Sequence, residues 1–387
     1  MTRNPNPRPN RGRPQRQMPV PATNEQRTRY PVLKTTRTPS GQVLDWVPIE
    51  AQQRQGKIAS PPPARAQAPE PTRAAATFEM HDPNIERGPA GTVPILRRDF
   101  SRLGGTGHPR KRKVDGRRLT PRADKMPSAA PDPFGYYHAT SAQWATCYGC
   151  EAVLSMWDPY TEFSADHSIA QFGMQNYDNP QLQSLEAGWE VCSDQYSDYL
   201  PHLFTYYTTN GYTQDGDNLG GYNRDVAGWV QYDANVFPGI LINGTSTYGG
   251  NQDVITIKFQ LWQGNWWFQA QGIWMGYYPA SLFTGGQGGA ALGDHAEWVA
   301  FWGEVYSSLA DPTQTTTYMG SGNFAESGWT WSAYESNTQI QTDGNGTMAD
   351  SNGSQSAENT AMYDIQSQMQ SGSSWASYFW FGGPGKG

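Results

Sequence analysis

The chain has 387 residues and a formal net charge of -7, from 28 Lys+Arg against 35 Asp+Glu. Residues 1–130 carry 25 of those cations and 10 of the carboxylates, a net of +15, whereas residues 131–387 carry three cations (Arg224, Lys258, Lys386) against 25 carboxylates, a net of -22. That balance excludes nucleic-acid binding by the second part; the lack of any apolar run of about 18 residues excludes a membrane-spanning helix, and three cysteines are too few for a disulfide scaffold.

In chain order, residues 1–39 read as a disordered basic, Pro-rich tail with almost nothing to bury. Its start has basic residues but no apolar stretch, so it does not read as a secretory signal peptide. A first apolar island, SGQVLDWVPIE (40–50), precedes Ala/Pro/Gln/Arg linker composition over 51–77. A second island, GPAGTVPILRRDFSRL (88–103), predicts a strand and a short helix. The densest positive run follows at 107–125, with Arg112, Lys113, Arg117 and Arg118; it reads as a solvated tail or a nucleic-acid contact, or as a dibasic processing site. Residues 40–130 are therefore taken as one segment and 131–387 as the main domain, which is long enough to bury a full core.

From about residue 132 the texture changes. Fourteen of 15 Trp, 20 of 21 Tyr and 12 of 14 Phe lie after residue 130. Short alternating segments appear at 189–193, 202–209, 228–233, 253–262, 265–278, 295–308, 328–336 and 374–383, separated by NG, DG and GG turns. Period-2 alternation with aromatic enrichment predicts an all-β domain, an antiparallel sandwich or barrel. The stretch 145–157 is ambiguous between helix and strand, and 337–360 reads as a long polar loop.

The chemistry narrows by exclusion. Cys147-x-x-Cys150 has no second half-site, so no metal or other cofactor is expected, and the pair reads as a local disulfide or two free thiols. GGQGGAALG (285–293) lacks the Gly-Lys-Ser/Thr of a phosphate loop, and no G-x-S-x-G elbow occurs. Carboxylates remain. In AEWVAFWGEVY, Trp298, Ala300, Trp302 and Glu304 share one strand face and Val299, Phe301, Gly303 and Val305 the other. In LEAGWEV, Glu186, Gly188 and Glu190 lie opposite Leu185, Ala187, Trp189 and Val191, and Gly188 leaves room beside Glu186 for something to approach. Alternation alone describes an acidic β domain that binds carbohydrate or peptide.

At these residues the chain resembles the neprosin family of glutamic endopeptidases. LQSLEAGWEV (182–191), HLFTYYTTNGY (202–212), STYGGNQDVITI (246–257), GNWWFQ (264–269), GYYPASLF (276–283), FWGEVYSS (301–308), MGSGNF (319–324) and the tail YDIQ…WASYFWFGGPG (363–385) follow the family's order. The islands at 40–50 and 91–100 resemble its activation peptide. The resemblance implies a two-sheet antiparallel β-sandwich, catalytic glutamates at Glu186 and Glu304, secretion, and a zymogen processed in the basic linker. Trp302 stands where the family usually has Gly; a cysteine pair usual after TTNGY is absent from 213–225, and Met362 replaces another cysteine.

Two carboxylates in one cleft hold one proton between them. The ionised one activates a water, and the protonated one polarises the scissile carbonyl. Glu190 and Glu297 are expected to be spectators. Such a pair and so acidic a domain suit acidic pH, and the family's cleavage after proline implies aromatic stacking by Trp302 or Tyr248. The expected partners are a protein or peptide substrate, Pro-rich in composition, and the chain's own propeptide. The other readings are a non-catalytic β-sandwich module holding polysaccharide or Pro-rich wall protein, and a glycoside hydrolase.

Overall fold

The computed structural model describes residues 30–53, 57–63, 73–97, 135–176, 182–284, 291–370 and 375–386. The tail 1–29 and the linker with Arg112, Lys113, Arg117 and Arg118 lie outside the described residues, as does the helix expected near residue 100.

Two antiparallel sheets form the domain. The first has seven strands in the spatial order Gly220–Tyr222, His202–Thr208, Gln183–Val191, His167–Asn176, Ala296–Tyr306, Tyr136–Cys147, Ser354–Ala357. The path of the second runs Val230–Gln231, Ile273–Pro279, Asn265–Ala270, Asp253–Trp262, Gly149–Ser155, Ala333–Gln341, Ala376–Gly382, Asp364–Gln370. Their facing sides interleave in one core cluster, with Ala187, Trp189, Phe172 and Phe301 from the first sheet and Leu154, Ile257, Phe259 and Phe381 from the second. The rings of Phe172 and Phe259 meet across the layers, centroids 5.9 Å apart. Gly303 makes room for another ring between the sheets: a Cβ there would lie 2.3 Å from the Phe381 ring.

The 145–157 stretch is strand throughout. The chain leaves the first sheet at Cys147 and enters the second at Gly149, so Tyr148 is a corner of the sandwich. Cys150, Ala152 and Leu154 point into the core and Glu151 stays outside, a period of two that a helix could not bury. The two thiols are free and buried, and burial pushes Cys147 up to about 12 despite the Gly149 amide.

The polar 337–360 stretch is also more ordered than its composition implies. Ala333–Gln341 is a central strand, Met348–Asp350 pairs back on it, and Ser354–Ala357 closes an edge of the first sheet. Exposed Ser and Gln at that edge are what a pairing strand with a solvent face needs.

Residues 30–97 dock on the domain. Val43–Pro48 pairs with Lys34–Arg37 and Thr92–Arg97 in a three-stranded sheet. Ala74–Ala75 adds parallel to Asp253–Val254, and Thr77–Phe78 pairs with Ile242–Asn243. Leu44, Trp46, Phe78 and Met80 enter the main core. Arg73 donates to Ser336 Oγ at 2.6 Å, its guanidinium 4.7 Å from the Trp375 ring centre. Gln52 ties the segment to Gln231 and Arg224, at 2.7 Å each.

One buried group runs against the rest of the core. Glu335 is fully buried, and neither carboxyl oxygen has a well-formed hydrogen bond. Burial raises its pKa well above the usual value, and the nearby Gln171 main-chain amide offsets only part of that. A carboxyl raised in the folded state is protonated there, so its contribution is most favourable below about pH 4.5 and is lost as pH rises through the folded value. Glu335→Gln is therefore expected to stabilise the protein at pH 7 and to change little at pH 4. Thermal unfolding of both proteins at the two pH values measures this; equal gains at both would refute it.

Candidate active site

The face of the seven-stranded sheet turned away from the core gathers the carboxylates. Glu186 sits opposite Gly173 on one side and Tyr206 on the other. Glu304 sits opposite Ile169 and His138. The strand His167–Asn176 thus runs between the two glutamates and carries Gln171 midway, level with Gly188 and Trp302. Along that strand the glutamates are offset by four residues, about 13 Å, and they are two strand spacings of about 4.8 Å apart, so their backbones lie about 16 Å from one another.

Glu304 is buried and ringed by donors. Gln171 Nε2 donates to its Oε2 at 2.9 Å and Trp302 Nε1 to the same atom at 3.1 Å. His167 Nε2 lies 3.0 Å from Oε1, and His138 Nε2 lies 3.5 Å from Oε2. Burial alone would lower the pKa of His138, but the carboxylates of Glu358 and Glu304 outweigh it and bring it to about 10. Glu358 grips the other side of His138, 3.0 Å from Nδ1 and 2.5 Å from the main-chain nitrogen. A fixed cation and several donors favour the ionised form of Glu304.

Glu186 is also buried, and its partners are hydroxyls. Ser184 Oγ donates to Oε1 at 3.0 Å and Tyr212 Oη to the same atom at 2.6 Å, while Gln175 Nε2 donates to Tyr212 Oη at 3.2 Å. Trp302 spans the distance between the glutamates. Its indole N–H is on Glu304, and the far edge of its ring covers Gly173, where an added Cβ would lie 2.6 Å from the ring and 3.0 Å from Glu186 Cγ. Gly173 is therefore the space into which Trp302 folds. Midway, Gln171 Oε1 is buried without a hydrogen-bond partner among the described residues, an acceptor of the kind that a functional site leaves open.

The residues singled out in the sequence separate here. Glu186, Glu304 and Trp302 come together, with Trp298 in the Trp302 cluster beside Ala142. Gly188 leaves no opening: a Cβ there would lie 1.9 Å from Ala170 O and 2.7 Å from Gln171 Cα, so the neighbouring strand has filled that room. Tyr248 belongs to another part of the molecule, where it stacks with Trp331, packs at a tilt against Trp157 and donates to Ser321 O at 2.5 Å. Those contacts hold a loop beside the second sheet. Glu297 is half-buried at an irregularity between Ala296 and Trp298, near the start of the strand that carries Glu304, and seven residues of strand put it about 23 Å from Glu304. Glu190 is no solvated spectator: it is fully buried, accepts from Tyr196 Oη at 3.1 Å and faces His167.

Gln171, His138, His167, Tyr212 and Ser184 were not singled out in the sequence. The first and third were findable, because HSIAQFGMQN alternates His167, Gln171 and Gln175 against Ala170, Phe172 and Met174. His138 and Tyr212 reach the site through strand pairing and a loop, for which the local sequence carries no signal. Trp144, opposite Trp298 and 55% exposed, continues the aromatic row to the surface.

A β-sandwich with two buried glutamates on one sheet face, an aromatic ring between them and donors on each defines a two-carboxylate site. The neprosin family model matches residues 164–384, more than half of the chain. The chain belongs to the neprosin family, and that membership supports a peptidase, with a protein or peptide substrate. Two crystal structures of scytalido-glutamic peptidase, one with a transition state analog inhibitor and one with a peptide based transition state analog, are 7% identical to the chain. They cover 64% of it and 96% and 97% of their own chains, with a TM-score of 0.31, a likeness too loose to transfer any residue.

Proposed function

We propose that the chain is a glutamic endopeptidase in which Glu304 is the general base and Glu186 the general acid. The observation that carries this division is the contrast between Glu304, among a histidine cation, a second imidazole, an amide and an indole N–H, and Glu186, held by two hydroxyls. At this spacing the carboxyls act across a bound peptide bond and a water, which replaces the expectation of one directly shared proton.

Glu304 takes a proton as the water oxygen bonds to the scissile carbonyl carbon. Glu186, in its acid form, gives its proton to the carbonyl oxygen, which becomes a hydroxyl. Collapse breaks the C–N bond: the proton on Glu304 passes to the leaving nitrogen and the hydroxyl proton returns to Glu186. Gln171 Oε1 is free to accept a substrate or water N–H or O–H. Trp302 walls the space between the glutamates, and with Trp298 and Trp144 it offers flat rings on which a proline can stack.

Cleavage after proline, acidic working pH, secretion and zymogen processing between about Arg110 and Lys125 complete the reading. The -22 of residues 131–387 supports acidic pH, because its repulsion fades as carboxylates protonate; the uncompensated Glu335 supports it independently.

The test incubates the acid-treated chain with a Pro-rich protein and, separately, with polysaccharides between pH 3 and 7. New peptide N-termini, each preceded by proline in the substrate, are the expected result, with activity greater at acidic pH. Binding without new termini would make the chain a non-catalytic module, and new reducing ends would make it a glycoside hydrolase.

A further inference from the structure

His167 lies in line with Glu304 but points onward as well. Its Nε2 is 3.0 Å from Glu304 Oε1, and its Nδ1 is 3.6 Å from Glu190 Oε1. Glu190 is fully buried, and that Oε1 atom has no hydrogen-bond partner among the described residues. Its other oxygen accepts from Tyr196 Oη, which in turn accepts from Asn223 Nδ2 at 3.3 Å. Beyond Glu304 the series continues to His138 and Glu358. A row of alternating acids and bases, Glu358–His138–Glu304–His167–Glu190–Tyr196, therefore runs across four strands and the short helix Ser193–Tyr196 beneath one sheet face.

We infer that His167, backed by Glu190, is a positioning residue for Glu304, and that the pair sets how acidic the medium can become before the base is lost. This rests on the peptidase reading. The groups facing His167 are Glu304 on one side, Glu190 on the other, and the rings of Tyr136 and Tyr306, with centroids 5.9 and 5.5 Å away; His138 lies beyond Glu304. Glu304 Oε1 lies within hydrogen-bond reach of Nε2 and Glu190 Oε1 within ion-pair distance of Nδ1, so a ring that carries protons on both nitrogens meets a carboxylate on each side. In that state it places a positive charge on the far side of Glu304 from Gln171, and Glu190 balances the charge that burial would otherwise disfavour. A neutral donor could orient Glu304 but could not hold it ionised as the medium becomes acidic.

The experiment compares wild-type chain with His167→Leu, His167→Gln and Glu190→Gln, reading kcat and KM across pH 2–7 with thermal unfolding alongside. Removing a cation beside the base raises the pH at which that base protonates, so the acidic limb of kcat/KM moves upward. His167→Leu is expected to lower kcat roughly 10- to 100-fold with KM nearly unchanged, and to shift the limb upward by about one unit. His167→Gln restores part of kcat but none of the limb position, and Glu190→Gln shifts the limb in the same direction with a smaller loss of kcat. A purely structural role would lower unfolding temperature and leave the limb in place, which overturns the inference. If His167→Leu does not fold, an unmoved limb in Glu190→Gln overturns it. A wild-type chain without peptidase activity refutes the parent reading instead. The coupling is then read by NMR on the His167 ring, whose titration must move downward in Glu190→Gln; an unmoved titration overturns the inference.

Discussion

Glu304→Gln and Glu186→Gln are each expected to lower kcat by on the order of a thousandfold or more, because each removes one half of a proton-transfer pair. The two losses should not add in the double variant, since either alone stops the same step. Glu297→Gln should keep most activity, as it lies seven residues along the strand from Glu304, about 23 Å away. Steady-state kinetics on a Pro-containing peptide, with circular dichroism to confirm the fold, decides it. Full activity in Glu304→Gln together with loss in Glu297→Gln would show that the base is misassigned.

The second large effect concerns residues 30–97. A chain beginning at residue 135 is expected to lose the ability to fold to a stable, soluble monomer. Leu44, Phe78 and Met80 come from the missing segment and are fully or almost fully buried in the domain core. Each contributes about 1.5–3 kcal/mol, against a total domain stability of about 5–15 kcal/mol. Trp46 adds a buried ring whose Nε1 donates to Thr36 at 2.8 Å, and Arg73 would leave a bare aromatic surface around Trp375. Cutting the linker is a different operation. A chain nicked between about Arg110 and Lys125 is expected to keep both pieces together at pH 7. Acidification weakens the attraction between the +15 and -22 parts but not these apolar contacts, so the charge argument by itself does not release the segment. Size-exclusion chromatography of nicked chain at pH 7 and pH 4, and refolding of 135–387 with and without residues 30–97 in trans, measure both. An isolated 135–387 chain with the unfolding temperature of the whole protein would refute this view of the segment as part of the core.

The described contacts of residues 30–97 fall on the second sheet and on the loops around residues 224–243. Zymogen control through that segment would therefore act first on stability. Activity before and after nicking, normalised to folded protein, separates the two effects.

Much of this protein is legible in its residues one strand at a time. The charge split, the all-β class and the faces of the two glutamate strands follow from composition and period-2 alternation, which is a local property: once a segment is extended, Glu186 must oppose Ala187 and Glu304 must oppose Val305. Register is not local. Which strand lies between the glutamates is decided by two pairings, one with the next strand in the chain and one, which brings Gln171 level with Trp302, with a strand more than a hundred residues further on. Such pairing turned the apparent opening at Gly188 into a packed contact, carried Tyr248 into a loop beside the other sheet, and drew Glu190 and His167 into one buried row with Glu304. The stretch 145–157 shows the same limit from the other side: its Cys, Ala and Leu residues suit a helix or a strand alone, and only the two sheets waiting to be joined at Tyr148 make it a corner.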